Sequence, residues 1–547
     1  MIARLLSCAA AGALAAALAP IEAKAYFVPR HQAAWPAPAG ASAYMPACGR
    51  LSFATQGVAQ ATDFHGLGQI ECTSPKWTAS NLRFLFSCFY VNGAGVANPE
   101  TVLPNNCIVD FATVKISSTF YPATFGGALS VTLQPGQFIW TDPLRNGSGA
   151  LVSLSPNTSY SIRSSRSAPA AGGSIPASEG PYGGARWSNP LLGDGVEWET
   201  TVQTSLRTSG TVPAYGNGSM PTGPEMAVAT GWDGSPVYCE VADSIGWSEA
   251  DLNFAGLRGV TGYVQRGLDD SVSSAQRGFV NLAIPGTTPD TQSSIASGQF
   301  QLRLQALRSL PNQPCTEILS EMGQNSPSIY GASLLAFQNQ ELGWWAFWHN
   351  LFPSATIFQT TFPPHAAQIN NDKWTVAGAA GQTTDYPSGM RWQANNWIRG
   401  LCPGTSGGVA CPPGPPVPSY VTPLNVTPAF QDPANPGYWR VSGYSGTVNT
   451  AVSSGVSSIS VAGSVAPTVG DMLALEPGTS NAEYIQIATV TGTGPWTVGL
   501  INSVAKSHAA GAAVGIGYTL EGTHPTSTLE MAGAAIIEAY KNSGVLP

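Results

Sequence analysis

Between residues 237 and 362 the chain alternates short apolar runs with stretches of helical spacing, and no other feature narrows its fold as much. "VYCEVAD", "GFVNLAIPG", "CTEILSEMG" and "ATIFQTTF" have the length and composition of strands. Between them, "LRGVTGYVQRGL" places Val260, Val264 and Leu268 on one side. "IASGQFQLRLQALRSL" places Ile295, Leu302 and Leu307 on one broad face, and "YGASLLAFQNQELGWWAFWHNLF" reads as a long apolar helix. Alternation of this kind predicts an α/β domain, with a parallel sheet covered by helices on both faces. Ligands of such sheets bind beyond the carboxyl ends of the strands, so chemistry is to be sought there.

The flanking regions have a different rhythm. "LRFLFSCFYV", "CIVDFATVKIS", "ALSVTLQPGQFIWTD" and "SYSIRS" alternate in the β manner between Gly, Pro and Asn turns, which predicts an antiparallel sandwich. Residues 167–190 are rich in small and turn-forming residues and read as a linker or a long surface loop. After the Pro/Gly-rich "CPGTSGGVACPPGPPVP", the chain turns β again in "SSISVAG", "DMLALEPG", "EYIQIATVTG" and "WTVGLI". "THPTSTLEMAGAAIIEAY" then pairs Ser527 with Glu530 in a capping-box pattern and sets Leu529, Ile536, Ile537 and Tyr540 on one helical side. The expected organisation is a leader over 1–25 and an N-terminal β-sandwich with its linker over 26–210. An α/β domain follows over 230–443, interrupted by a small β insertion at 444–516 and resumed at 517–547.

A length of 547 residues suits about three domains. Only 10% of residues are charged, while 61 are Gly and 44 are Pro, which fits a loop-rich extracellular protein. Arg4, the apolar stretch 5–18 and "AKA" at 23–25 have the form of a secretory signal, with the mature chain starting near Tyr26. Cys8 in "LLSC" has too little apolar sequence before it for a lipoprotein box. No later stretch is apolar for long enough to span a bilayer, so the expected location is secreted or periplasmic. The remaining cysteines are Cys48, Cys72, Cys88, Cys107, Cys239, Cys315, Cys402 and Cys411, an even number that suggests disulfides in an exported chain. Proximity favours Cys402–Cys411 and Cys88–Cys107 and leaves the other pairing open. No Cys-x-x-Cys pair supports a zinc or thioredoxin reading. Losing Arg4, Lys24 and Glu22 with the leader takes the net charge from −8 to about −9, and without a basic cluster this argues against nucleic acid.

The ends of the expected strands carry unusual residues. Asp243 and Ser244 follow the first, Pro285 and Gly286 the second, and Gly323, Gln324 and Asn325 the third. "EGTH", at 521–524, precedes the last helix. Singly these are ordinary features, since a Ser after a strand caps a helix and a Gly makes a turn. As an ordered set they resemble the SGNH hydrolases, also called the GDSL esterase/lipase family. The family's blocks are Gly-Asp-Ser, a Gly after the second strand, Gly-x-Asn-Asp and Asp-x-x-His. "ADSI", "NLAIPGTT", "MGQNS" and "EGTHP" stand in their places, and the resemblance covers about 240–360 and 518–545. Ala242 replaces a Gly, Ser326 an Asp, and Glu521 the Asp of the triad.

The resemblance implies a three-layer α/β/α domain and a serine esterase. Ser244 would be the nucleophile, His524 its general base and Glu521 the acid that orients the imidazole. The Ser244 and Gly286 backbone N–H groups and the Asn325 side-chain amide would form the oxyanion hole. Asp243 organises the turn, and Asp432 is the other acid that could support His524. The expected substrates are short acyl esters on a small molecule or polysaccharide, O-acetyl groups among them, with no metal or organic cofactor. Two alternatives stay open: a lipase or thioesterase taking longer acyl chains, and a surface binding protein with a degenerate hydrolase domain. Trp344, Trp345 and Trp348 read as helix packing. Trp374, Trp392 and Trp397, in loop-like Asn-rich stretches, are either a sugar cleft or a structural cluster. His31, His65, His349, His365 and His508 read as surface or packing residues. No feature assigns an oligomeric state.

Overall fold

The structure, a computed structural model, describes residues 36–547 except 60–63, 92–99, 178–193, 203, 214–221, 249–250, 252–259, 270–275, 294–300, 329–331, 385–388 and 407–408. The expected leader, His31 and Ile295 lie outside the described residues.

Five strands form a parallel sheet: β1 (Val237–Val241), β2 (Gly278–Asn281), β3 (Glu317–Ser320), β4 (Ile357–Thr360) and β5 (Val421–Leu424), in the order β2-β1-β3-β4-β5. Successive strand residues point to opposite faces. Cys239, Val241, Val280, Ile318 and Ile357 enter one hydrophobic cluster. Tyr238, Phe279, Leu319, Phe358 and Leu424 enter another on the opposite side. The first face is covered by α2 (Gln301–Arg308), α3 (Leu334–Leu351) and α4 (Met390–Ile398). The second is covered by α1 (Tyr263–Leu268) and α5 (Ser527–Asn542).

Local chemistry explains the longest helix. Ser333 caps α3 by accepting a hydrogen bond from the Ala336 N–H at 3.2 Å. Trp344, Trp345 and Trp348 are fully buried, and Trp345 stacks on Trp397 of α4 at 5.3 Å. The stretch around Trp392 and Trp397 is therefore helix, not loop. Its Asn residues concealed an apolar face of Ala394, Trp397 and Ile398. Trp374 is buried too, so Trp392 alone of the six is half-buried, and the cluster is core packing.

Among the described residues, the N-terminal region has two larger antiparallel sheets, of four and six strands, and two two-stranded ribbons. The four-stranded sheet takes a strand from Met226–Thr230, paired with Ser80–Ser87, so the sandwich extends well past residue 210. All five residues of that strand are buried, and it lacks the alternation that marks a one-faced strand. Part of the expected linker is also strand: Ser174–Ala177 pairs with Gln56–Ala59. The second β region is a closed barrel of six strands, from Gly446–Val448 to Ala513–Gly517, with its own core of Val461, Leu473, Ile487 and Val498. Disulfides join Cys48–Cys72, Cys88–Cys107, Cys239–Cys315 and Cys402–Cys411. Among the described residues, no helix is long and apolar enough to cross a membrane.

The sandwich and the sheet share one hydrophobic cluster. A buried ion pair fastens the N-terminal region to α2. Glu100, on the strand Glu100–Val102 of a two-stranded ribbon in the N-terminal region, accepts from the Leu302 N–H at 2.7 Å, the Arg303 N–H at 3.2 Å and Arg303 Nε at 3.0 Å. Burial raises the Glu100 carboxyl, and the Arg303 guanidinium pulls it back. Removing one partner of such a pair strands the other charge in a dry interior. Glu100→Ala is expected to cost about 3–5 kcal/mol of stability, read by urea denaturation. A loss under about 1 kcal/mol would place the pair with weak surface bridges.

Candidate active site

The end of β1 explains why a buried strand stops on Ala-Asp-Ser. All five residues of β1 are buried, so its side chains are committed to packing and only the turn beyond can present a reactive group. Asp243 Oδ1 accepts from the Ile245 N–H at 3.0 Å, and the Trp247 N–H donates to the Asp243 carbonyl at 2.9 Å. This single tight turn holds Ser244 at the tip with 6% exposure.

His524 arrives from 280 residues away. The chain leaves the barrel after Ala513–Gly517 and reverses at once: the Leu520 N–H and Thr519 Oγ1 donate to the His524 carbonyl at 2.9 and 3.0 Å. Gly522 makes the reversal with φ +92°, a conformation costly for other residues. A Cβ there would also lie 1.9 Å from the Ala366 carbonyl oxygen. The reversal sets Glu521 beside His524, with Oε1 2.5 Å from Nδ1. His524 Nε2 lies 2.8 Å from Ser244 Oγ. The three residues thus form a continuous relay, with the Glu521 side chain 45% exposed and that of His524 14%. Asp432 is engaged elsewhere, accepting from Ala434 N–H and Asn435 Nδ2 within its own turn.

The neighbouring strands bring their own ends alongside. The Ile284 N–H donates to the Ala242 carbonyl at 3.0 Å, and the Glu321 N–H to the Val241 carbonyl at 3.1 Å. Gly286 takes φ +74° in the turn after β2. Asn325, 2% exposed after β3, donates from Nδ2 to the Thr287 carbonyl at 2.9 Å, tying the second and third loops together. An amide nitrogen has two protons, so this bond orients the group and uses one of its two donors.

One feature of the site gave no signal in the sequence. Glu321, fully buried, accepts from the Gly246 N–H at 3.1 Å and hydrogen-bonds to Asp243. Burial raises the Glu321 carboxyl well above its usual range, and the Asp243 charge raises it further. Burial raises Asp243 as well, against the Ile245 N–H and the bond from Glu321. Two neighbouring buried carboxyls do not both ionise readily, so the raised Glu321 is the one favoured to keep its proton. Glu321 thereby braces both ends of the turn that carries Ser244. A carboxylate in a strand-end sequence gives no hint of this, because the pairing exists only once β1 and β3 are adjacent. Among the described residues, no cluster of three His, Cys, Asp or Glu is arranged to hold a metal ion.

The other histidines have structural partners. His65 Nδ1 lies 2.9 Å from Asp110 Oδ2, His508 Nδ1 2.9 Å from Glu476 Oε1, and His349 stacks on Tyr420 at 3.9 Å. His365 is half-buried.

No family model matches the chain, and no curated protein matches it. Among solved structures it is similar to a family two carbohydrate esterase from Clostridium thermocellum in complex with cellohexaose, at 11% identity and TM-score 0.24, over 72% of this chain and 91% of that one. It is similar also to a family two carbohydrate esterase from Cellvibrio japonicus, at 11% identity and TM-score 0.23, with the same coverage. A salicylyl-acyltransferase from a tetracycline biosynthetic pathway matches at 10% identity and TM-score 0.22, over 69% of this chain and 77% of that one. At such TM-scores none of these likenesses establishes a family.

The proton kept by Glu321 has a consequence for stability. Glu321 has a raised folded pKa, so its contribution is complete below the unfolded value and is lost as pH rises through the folded one. Glu321→Gln keeps a donor for Asp243 and an acceptor for Gly246 with no proton to lose. Its stability relative to the parent is expected to improve from pH 5 to pH 8 in urea denaturation (roughly the span in which carboxyls raised by burial titrate). A difference that does not change with pH would refute a protonated Glu321.

Proposed function

We propose that this chain is a serine esterase of SGNH type, secreted or periplasmic, which hydrolyses short acyl esters, with O-acetyl groups on a polysaccharide as the substrate class. The observation that carries the proposal is the Ser244–His524–Glu521 relay, with separations of 2.8 and 2.5 Å. Four disulfides fit an oxidising compartment.

The chemistry follows from the relay. A serine hydroxyl is a weak nucleophile until a base takes its proton. His524 Nε2 accepts that proton as Ser244 Oγ forms a bond to the ester carbonyl carbon. The carbonyl oxygen becomes an oxyanion, to which the Ser244 and Gly286 N–H groups and Asn325 Nδ2 donate. One such donor is worth about 3 kcal/mol in a comparable hydrolase. When the carbon–oxygen bond to the leaving alcohol breaks, the alcohol takes the proton back from Nε2. Water, giving a proton to Nε2, then attacks the acyl carbon; the bond from that carbon to Ser244 Oγ breaks, Oγ takes the proton back, and the carboxylic acid leaves. Glu521 accepts from Nδ1–H throughout, which fixes the tautomer and balances the imidazolium. Glutamate is one methylene longer than the aspartate it replaces, and its Oε1 still lies 2.5 Å from Nδ1.

Ser244→Ala is expected to abolish both esterase activity and covalent labelling by a fluorophosphonate, as read by mass spectrometry of the labelled peptide. Stable modification at another serine would overturn the assignment. Glu521→Gln should lower kcat on a short nitrophenyl ester by at least about 100-fold, less than the roughly 10⁴-fold seen for the equivalent loss in a Ser-His-Asp protease. Glu521→Asp should retain more activity than Glu521→Gln. If the Gln variant is folded by circular dichroism and nearly as active as the parent, Glu521 is not the orienting acid.

A further inference from the structure

We infer that two residues of the β-barrel, Asp471 and Tyr484, clamp both limbs of the loop that carries His524, and that Asp471 is a positioning residue for ester hydrolysis. The inference rests on the esterase function proposed above.

Asp471 lies just before the barrel strand Met472–Leu475 and is 1% exposed. Its Oδ1 accepts from Thr526 Oγ1 at 2.7 Å and from the Thr528 N–H at 3.1 Å, and its Oδ2 accepts from Thr528 Oγ1 at 2.6 Å. Thr526 is the N-cap of α5 and stands two residues after His524. A helix N-terminus exposes unpaired N–H groups, which the cap residue's own side chain normally satisfies. Thr526 makes no such bond, because its hydroxyl points to the barrel. Nor does the expected box of Ser527 with Glu530 form. Ser527 is the first helical residue and donates to Asp251 at 2.6 Å, while Glu530 accepts from the Tyr263 N–H at 2.6 Å. The cap is instead a carboxylate 55 residues away in sequence, a charge that the helix N-terminus favours.

The other limb is held in the same way. Tyr484, on the barrel strand Glu483–Thr491, donates from its hydroxyl to the Thr519 carbonyl at 2.7 Å. Its ring packs against Trp374 at 5.7 Å. Thr519 in turn donates to the His524 carbonyl. The loop therefore ends on barrel side chains on both sides of the histidine. A displacement of about 1 Å in a catalytic group can cost on the order of 100-fold in rate, so the grip on these threonines bears directly on the Ser244–His524 bond.

The test compares four variants of the full chain on a short nitrophenyl ester. Asp471→Ala should lower kcat by about 10- to 100-fold with KM unchanged. Asp471→Asn, whose amide can both accept from and donate to the threonines, should restore most of the activity. Tyr484→Phe should fall between them. Val461→Ala, a cavity in the barrel core, should lower the melting temperature while leaving kcat unchanged. Full activity in Asp471→Ala, no recovery in Asp471→Asn, or an equal loss in Val461→Ala would overturn the clamp. If the parent neither hydrolyses esters nor reacts with a fluorophosphonate, it is the esterase proposal that fails. The clamp is then decided by the imidazole titration of His524 followed by NMR. It should change in Asp471→Ala and not in Asp471→Asn or Val461→Ala. An unchanged titration in Asp471→Ala would end the inference.

Discussion

A strand buried on both faces can carry no chemistry along its length. In β1 every side chain goes into packing: Tyr238 into one cluster, Cys239 and Val241 into the other, and Glu240 onto Gln265 Nε2 at 3.0 Å. Reactive groups can appear only past the last strand residue. Because the strands run parallel and lie roughly 5 Å apart, their carboxyl ends open side by side. The loops that carry Ser244, Gly286 and Asn325 are far apart in sequence and lie side by side for this reason. The rest of the molecule keeps those ends in register: the helices cover the faces, and the N-terminal region grips α2 through Glu100.

The same constraint fills the ground beneath Ser244 with buried acids. Asp243 and Glu321 face each other where a pair of free charges would be prohibitively costly. Burial raises both carboxyls, and the Asp243 charge raises Glu321 further, so the pair favours carrying a proton over two free charges. Burial likewise holds Glu341 and Glu530 well above the usual carboxyl range. Glu321 and Glu530 are tied to backbone N–H groups, of Gly246 and Tyr263 respectively.

The histidine obeys a different logic. It lies on a loop rather than at a strand end, and a loop has no sheet to hold it. Its fixed points come from outside: Trp439 Nε1 donates to the Gly522 carbonyl at 2.8 Å, the Ala366 N–H to the same carbonyl at 3.1 Å, and Asp471 and Tyr484 reach in from the barrel. The barrel is inserted immediately before this loop and braces the segment that follows from it.

Much of this was legible in the residues themselves. Strand–helix alternation implied the parallel sheet, since side-chain periodicity is a local property of the chain. The odd residues at the strand ends could be picked out because nothing in strand packing asks for them. Cys88–Cys107 and Cys402–Cys411 were readable from short separations of 19 and 9 residues. The strand β5 was not, because Thr422 and Pro423 interrupt its apolar pattern at the sheet edge. The α4 helix was hidden by Asn396, which is buried, and Asn395, which bonds the Phe362 backbone from inside the fold. The cap of α5, the pairing of Asp243 with Glu321 and the Cys239–Cys315 bridge lay beyond reach for the same reason. Each depends on which distant segment packs alongside, and a one-dimensional pattern records the burial of a residue's own face but not the identity of the group it will meet there.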